Sequence, residues 1–245
     1  MFRVAKVIFI TVIVCGIAHA GSIDPDQKDW FNKHKRQKNA PKPETMLINT
    51  DPEPNLSEGF TSLFNGKDLT GWTPKGGPSK FEVKDGVLVG TCGSKSRSTY
   101  LCTDNADFTD FIFTCEVKWE VDGNSGIMFR AQAAGQKVLG PQAELEGFEK
   151  GRCWSAGIYG QSCGGWFYPL WLNEHKEVRR ALKENEWNRL TIMARGNVVK
   201  TWLNGLPAAN WVNDTYLKGF FGLQIHAGAK GTVHWRNIKV KTLSK

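Results

Sequence analysis

The stretch Phe111-Ile112-Phe113-Thr114-Cys115-Glu116-Val117-Lys118-Trp119 decides the fold. Positions 111, 113, 115, 117 and 119 form an apolar stripe at period two, the pattern of a strand with one face on a core. The strand is expected over 111–121. Just beyond it, Gly123-Asn124-Ser125-Gly126-Ile127-Met128-Phe129-Arg130 joins a tight turn to a second strand. There Ile127 and Phe129 share the apolar face, while Gly126, Met128 and Arg130 share the other. A strand face of glycine, methionine and arginine reads as a groove.

Working outward, Asp85-Gly86 supplies a hairpin turn between Phe81-Glu82-Val83 and Val87-Leu88-Val89. Further strands are expected over 126–130, 142–146, 188–195, 198–203, 220–226 and 232–240, separated by turn-forming glycines and asparagines. Many short strands of this kind specify an all-β sandwich, and 245 residues suit one such domain. Residues 172–183, with Val178, Ala181 and Leu182, form the one helix-like interruption. No glycine-rich phosphate loop and no Gly-x-Ser-x-Gly elbow is present, which disfavours a nucleotide enzyme and a serine hydrolase.

The first residues stand apart from this domain. Arg3 and Lys6 precede the apolar run 7–15, and Ala18-His19-Ala20 follows as a signal-peptidase pattern. Residues 1–20 are therefore expected to be a cleaved signal, giving a periplasmic or secreted protein that starts at Gly21 without a transmembrane segment. A lipid anchor on Cys15 is disfavoured by Val14. Residues 21–58 are polar and proline-bearing, and are expected to be a solvated leader or linker before a domain over 59–245. The formal charge is +8, part of it in Lys33-His34-Lys35-Arg36-Gln37-Lys38. Export argues against nucleic acid as the partner of that basic run, so it is read as a solvated tail. Export also permits disulfides. Cys92 with Cys102 and Cys153 with Cys163 are the economical pairs, each closing a short loop, while Cys115 lies on the apolar stripe as a small buried hydrophobe. Zinc spacing is absent.

A set of motifs runs through the domain in order: Gly59-Phe60-Thr61-Ser62-Leu63-Phe64-Asn65-Gly66-Lys67-Asp68-Leu69-Thr70-Gly71-Trp72, then 123–130, Ser155-Ala156-Gly157-Ile158-Tyr159-Gly160, Glu186-Trp187-Asn188, Ala194-Arg195-Gly196-Asn197, Trp202-Leu203-Asn204-Gly205, Gly222-Leu223-Gln224-Ile225-His226 and Trp235-Arg236-Asn237-Ile238. Over residues 59–243 the chain thereby resembles the 3-keto-disaccharide hydrolase domain family. The resemblance implies a concanavalin A-like antiparallel β-sandwich of jelly-roll type, and a glycoside as ligand.

Period-two reading offers the site residues. Gln142, Glu144 and Glu146 alternate with Ala143 and Leu145, and Gln224 and His226 alternate with Leu223 and Ile225. From the residues alone, such a face either meets water or lines a groove. The resemblance implies the groove, with Arg130 included. Glu144 and Glu146 project together about 6.6 Å apart along a strand, whereas retaining glycosidases hold two carboxyls about 5 Å apart. The longer acidic signature of the sandwich glucanases is missing.

Cleavage of a 3-keto sugar asks for other chemistry: a base for the C2 proton, acidified by the ketone, and a stabiliser for the enolate that expels the anomeric substituent. His226 is the first choice for the base, because imidazole titrates near neutrality. Arg130 is assigned to the enolate or to positioning the sugar. Three roles are open to Glu144: orienting His226, acting as the base, or joining His226 around a divalent cation. Gln142 and Gln224 are assigned to substrate, with Trp166 and Tyr168 as glycine-preceded stacking candidates. Trp154, Phe167 and Trp171 are read as loop packing, His34 and His175 as solvated, His234 as an exposed strand residue, Asn124 as a turn residue, and Tyr159 as groove lining or strand-end packing. The alternative to an enzyme is a non-catalytic carbohydrate-binding module on the same scaffold, and a third reading is an envelope interaction domain.

Overall fold

The computed structural model describes residues 21–93 and 97–244. The expected signal over 1–20 lies outside the described residues. In chain order the strands are β1 (Thr61–Ser62), β2 (Trp72–Gly76), β3 (Lys80–Lys84), β4 (Val87–Thr91), β5 (Thr99–Thr103), β6 (Phe111–Val121), β7 (Ser125–Ala134), β8 (Lys137–Leu145), β9 (Ile158–Gln161), β10 (Gly165–Tyr168), β11 (Asn188–Arg195), β12 (Val198–Leu203), β13 (Leu206–Val212), β14 (Phe220–Ile225) and β15 (Thr232–Thr242). Two short helices accompany them, α1 (Lys28–His34) and α2 (Lys176–Arg179).

The strands form two antiparallel sheets, an all-β jelly-roll sandwich of the concanavalin A-like kind. One sheet runs β13-β12-β11-β6-β15-β4-β3, with β1 beside β15, and the other runs β10-β9-β8-β7-β14-β5-β2. The stripe on β6 does what its period dictates: Phe111, Phe113, Cys115, Val117 and Trp119 are all buried between the sheets. They meet Ile127, Phe129, Ala143, Leu145 and Leu223 from the other sheet in one core. Phe221 sits 4.6 to 4.7 Å, ring centre to ring centre, from Phe108, Phe111 and Phe113. Burying each such ring stabilises the fold by about 1.5–3 kcal/mol. The β3–β4 hairpin turns on Asp85 and Gly86, at φ 49° and 77°. Two successive left-handed residues match the right-handed twist of the flanking strands. The helix-like reading of 172–183 is realised as a 3-10 turn over Asn173–His175 running into α2.

Residues 21–58 do not form a solvated leader. Ile23 bridges Leu172, Asp24 is buried against Arg179, and Gln27 accepts from Trp154 Nε1 at 2.7 Å. Phe31 stacks edge-on against Trp171 at 5.0 Å, and Met46 enters the core. The segment then crosses to the other sheet, where Asn49 Nδ2 donates to Thr201 O at 3.0 Å and Glu53 accepts from Thr191 Oγ1 at 2.6 Å. That crossing explains why Thr114 and Thr191, on the outer face of their sheet, are buried. The polar composition is satisfied by specific bonds to the sandwich instead of by water. Lys33, Lys35, Arg36 and Lys38 remain exposed as expected, but His34 between them is buried.

No disulfide joins the five described cysteines. Cys92 ends β4 in one sheet, whereas Cys102 lies on β5 in the other, among Met128, Tyr100 and Phe220. Cys153 and Cys163 lie on either side of β9, and Cys163 Sγ contacts Gly140 O at 3.7 Å. The short stretch from Cys92 to Cys102 thus places its ends in different layers, and that from Cys153 to Cys163 spans the length of β9. Cys115 is buried as expected, and burial pushes its thiol pKa up.

Candidate functional site

The outer face of the second sheet carries a polar floor. On β7, Gly126 pairs with Gln224 of β14 on one side and Glu144 of β8 on the other. The glycine matters here, because a Cβ at position 126 would overlap the Gln142 amide. Its absence lets Gln142 lie across β7 and reach both neighbours: Nε2 donates to Glu144 Oε2 at 2.8 Å and to Gln224 Oε1 at 3.1 Å. Gln224 Nε2 in turn donates to Tyr100 Oη at 3.2 Å. Asn124, in the turn before β7, donates from Nδ2 to Glu144 Oε1 at 2.6 Å. Glu144 is thereby held by two amides, one from its own strand and one from the turn before β7. Burial pushes the Tyr100 phenol up to about 12, so it stays protonated.

Asn124, Gln142, Glu144 and Gln224 line a pocket of about 310 Å³ with Ser98, Tyr159, Gln161, Trp166 and His226 from the sandwich, Arg152 from the loop before β9, and His34 and Gln37 from the leader. Tyr159, the open case of the sequence reading, is groove lining: it is half-buried, with its ring 5.3 Å from Trp166. His226 is exposed at the end of β14, and its Nδ1 lies 2.7 Å from Ala227 O. A carbonyl oxygen only accepts, so Nδ1 carries the proton and the lone pair of the neutral ring is on Nε2.

Arg130 is not in this site. A bulge between Met128 and Gln132 breaks the alternation of β7, and Arg130 takes a left-handed φ of 46°. Its guanidinium, fully buried, donates to Thr109 O and Gly196 O at 2.8 Å each and pairs with Asp110 at 3.2 Å. It ties loops together.

The pocket's cation is Arg152. Its guanidinium carbon lies 4.9 Å from the Trp154 ring and 4.7 Å from Trp166. Nε and Nη2 both donate to Glu146 Oε1. Nη1 makes no hydrogen bond among the described residues. Glu146 also accepts from Trp154 N at 2.8 Å, so the second carboxylate of that strand is occupied in holding Arg152, in keeping with the disfavoured glucanase reading. Trp166 lines the pocket but is buried, its ring taken up by Arg152, Trp154 and Tyr159. Tyr168 is a core residue: the β9–β10 register shifts between Trp166 and Tyr168, and its Oη donates to Leu47 O at 2.6 Å. His175 is likewise buried, 3.2 Å from that hydroxyl. His234 is partly buried and pairs with Glu120 at 2.8 Å. Among the described residues, no three His, Cys, Asp or Glu side chains are placed to hold a metal ion.

Sequence reasoning missed His34, Gln37, Asn124 and Arg152. The signal for the first two was Trp30-Phe31, a pair of adjacent large aromatics in an otherwise polar segment, which asks for a surface to cover.

No protein of curated function matches the sequence. Among solved structures, the chain is similar to a protein of Parabacteroides distasonis ATCC 8503 provisionally named a glycosyl hydrolase, at 24% identity and a TM-score of 0.55 over 79% of this chain and 100% of that one. A Bacillus subtilis protein of unknown function with a galectin-like fold gives 14% identity and a TM-score of 0.57 over 78% and 98% of the two chains. The carbohydrate-binding module CBM66 from the same species gives 14% and 0.51 over 70% and 96%. These likenesses show the fold. Residues 59–241 match the 3-keto-alpha-glucoside-1,2-lyase-like domain, the family that the ordered motifs resemble, and the chain belongs to that family.

Proposed function

We propose that the pocket is the active site of an exported enzyme that cleaves 3-keto-glycosides. One observation carries the reading: an imidazole whose Nδ1 proton is spent on Ala227 O, leaving Nε2 as its basic nitrogen, and a guanidinium line the same small polar pocket, while Glu146, the second carboxylate of the strand, is bound to that guanidinium. A base and a cation suit elimination beside a ketone. Ordinary glycoside hydrolysis needs two carboxyl groups at work.

In the reaction, His226 Nε2 takes the C2 proton of the sugar, and the C2–H electron pair forms the enolate with C3. Arg152 faces the negative oxygen. The electrons then return to form the C1–C2 double bond, the C1–O bond breaks, and the leaving oxygen takes the proton held on His226 Nε2, which restores the base. The product is an unsaturated ketone, to which water adds to give the free keto sugar. Glu144, fixed by Asn124 and Gln142, accepts from sugar hydroxyls, and Tyr159 offers the half-exposed aromatic face. The role first given to Arg130 passes to Arg152.

The test uses a 3-keto-disaccharide with hydrogen or deuterium at C2. Release of the keto sugar by the wild-type protein, slowed by deuterium and reduced about 10²–10⁴-fold in His226→Ala, supports the mechanism. Retention of the sugar with no turnover overturns it in favour of a binding module, which the fold shared with CBM66 also accommodates.

A further inference from the structure

We propose that His34, carried on the leader outside the matched family domain, is a further catalytic residue, donating a hydrogen bond from Nε2–H to the ketone oxygen of the sugar. This rests on the reading of the pocket as the site of 3-keto-glycoside cleavage.

The tautomer follows from a chain of bonds. The backbone N–H of Trp166 donates to Gln37 Oε1 at 3.2 Å, which fixes which end of that amide is oxygen. Gln37 Nε2 therefore donates to His34 Nδ1, 2.9 Å away. Nδ1 holds the lone pair, and in the neutral ring the proton sits on Nε2. That nitrogen is buried and has no partner, in a side chain that lines the pocket and belongs to a residue 8% exposed. Burial, then Arg152 and Lys33, pull the ring's pKa down to about 4 against the opposing pull of Glu146, so the imidazole is neutral at ordinary pH.

Two other buried polar atoms without partners belong to the same pocket, Asn124 Oδ1 and Gln142 Oε1. Their amides are oriented by donating to Glu144, so both orphans are acceptors. A buried polar group left unsatisfied costs about 1–3 kcal/mol. Read as a mould, the pocket asks for two hydroxyl donors and one acceptor. A keto sugar carries both, and its carbonyl accepts without bringing a proton of its own. A neutral imidazole N–H beside Arg152 is a preorganised donor for the oxygen on which charge develops.

The leader's position is built into the domain. A Cβ at Gly165 would overlap Gln37, and one at Gly164 would overlap Asn39. The His34 ring lies nearly parallel to Trp30, at 13°, and edge-on to Trp154 at 5.5 Å.

The experiment compares the full chain with His34→Phe, which keeps an aromatic ring but has no N–H, and His34→Gln, whose amide nitrogen restores a donor. Turnover of a 3-keto-disaccharide is measured together with binding of methyl 3-keto-α-glucoside and methyl α-glucoside, with thermal unfolding as the control for folding. Expected is a drop in kcat of about 10²–10³ in His34→Phe, loss of the preference for the ketone over the alcohol, and partial recovery of both in His34→Gln. The ¹⁵N shifts of His34 place its proton on Nε2. Unchanged kcat and unchanged ketone preference in a folded His34→Phe overturn the proposal while leaving the pocket reading intact. So does a proton on Nδ1. If the wild-type protein turns nothing over but prefers the ketone through His34, the assigned hydrogen bond stands and the enzyme reading falls. If it binds neither sugar, both fall.

Discussion

Arg130 follows Gly126 and Met128 at period two, yet one bulge sends its side chain to the far end of the sandwich. Alternation places a side chain only while the register holds, and nothing in Phe129-Arg130-Ala131 announces the shift. The physical consequence is a structural arginine. Arg130→Leu removes the partner of Asp110 and strips donors from three backbone carbonyls, so it is expected to cost about 3 kcal/mol or more in chemical denaturation. Turnover per folded molecule should stay near wild type. A large loss of turnover without loss of stability would return Arg130 to the chemistry. Gly126→Ala is the opposite case. Its added methyl meets the buried Gln142 side chain and leaves the backbone in place, so the fold should persist at a cost of about 1–3 kcal/mol. The displaced Gln142 releases Glu144, and ligand binding, measured by calorimetry, should weaken at least tenfold. Unchanged binding would show that the Gln142–Glu144 bond does not organise the pocket.

At the scale of elements, the strands with clean apolar stripes were legible. β6, β11 and β12 run over the residues expected, because each buries one face and exposes enough of the other to keep the period visible. The leader was not legible, since its apolar anchors Ile23, Trp30, Phe31 and Met46 follow no period and its remaining contacts are hydrogen bonds and ion pairs. The buried pair Asp24–Arg179 is its anchor, with Arg179 also donating to Leu170 O and Leu172 O at 2.7 and 2.8 Å. Removing one partner leaves the other charge buried, so Asp24→Ala is expected to lose about 3–5 kcal/mol. Because α1 carries His34, the same change should weaken ligand binding although position 24 is not a pocket residue. Denaturation and a binding isotherm on one preparation check both. Loss of stability with intact binding would show that α1 stays seated without the anchor.

The whole molecule assembles its site from β8, β9, β10 and β14, the turns before β5 and β7, the loop before β9 and the leader, and only the topology brings these together. Gln142, Glu144, Gln224 and His226 were readable as a polar face, because their apolar neighbours are spaced at two. His34 and Arg152 were not, because each sits in a loop-rich, charged segment whose direction is set by distant aromatics. The seam between leader and sandwich holds two buried histidines. Burial, with Arg152 and Lys33, lowers the pKa of His34 to about 4, and burial, with Arg179, lowers that of His175 to about 3. In the unfolded chain both titrate near 6.5. Between that value and about 4, the unfolded state binds protons that the folded state refuses, so stability must fall as pH falls through this window. The melting temperature is therefore expected to be level above pH 7 and to drop between pH 6.5 and 4, before the carboxylates that the fold holds ionised, Asp24 and Asp68, begin to protonate. His34→Phe removes one of the two proton sites and should flatten the slope in that range. Scanning calorimetry of the two proteins from pH 7.5 to 4 makes the comparison. A wild-type melting temperature that is constant or rising on acidification would mean that the seam opens to water and leaves its histidines free to charge.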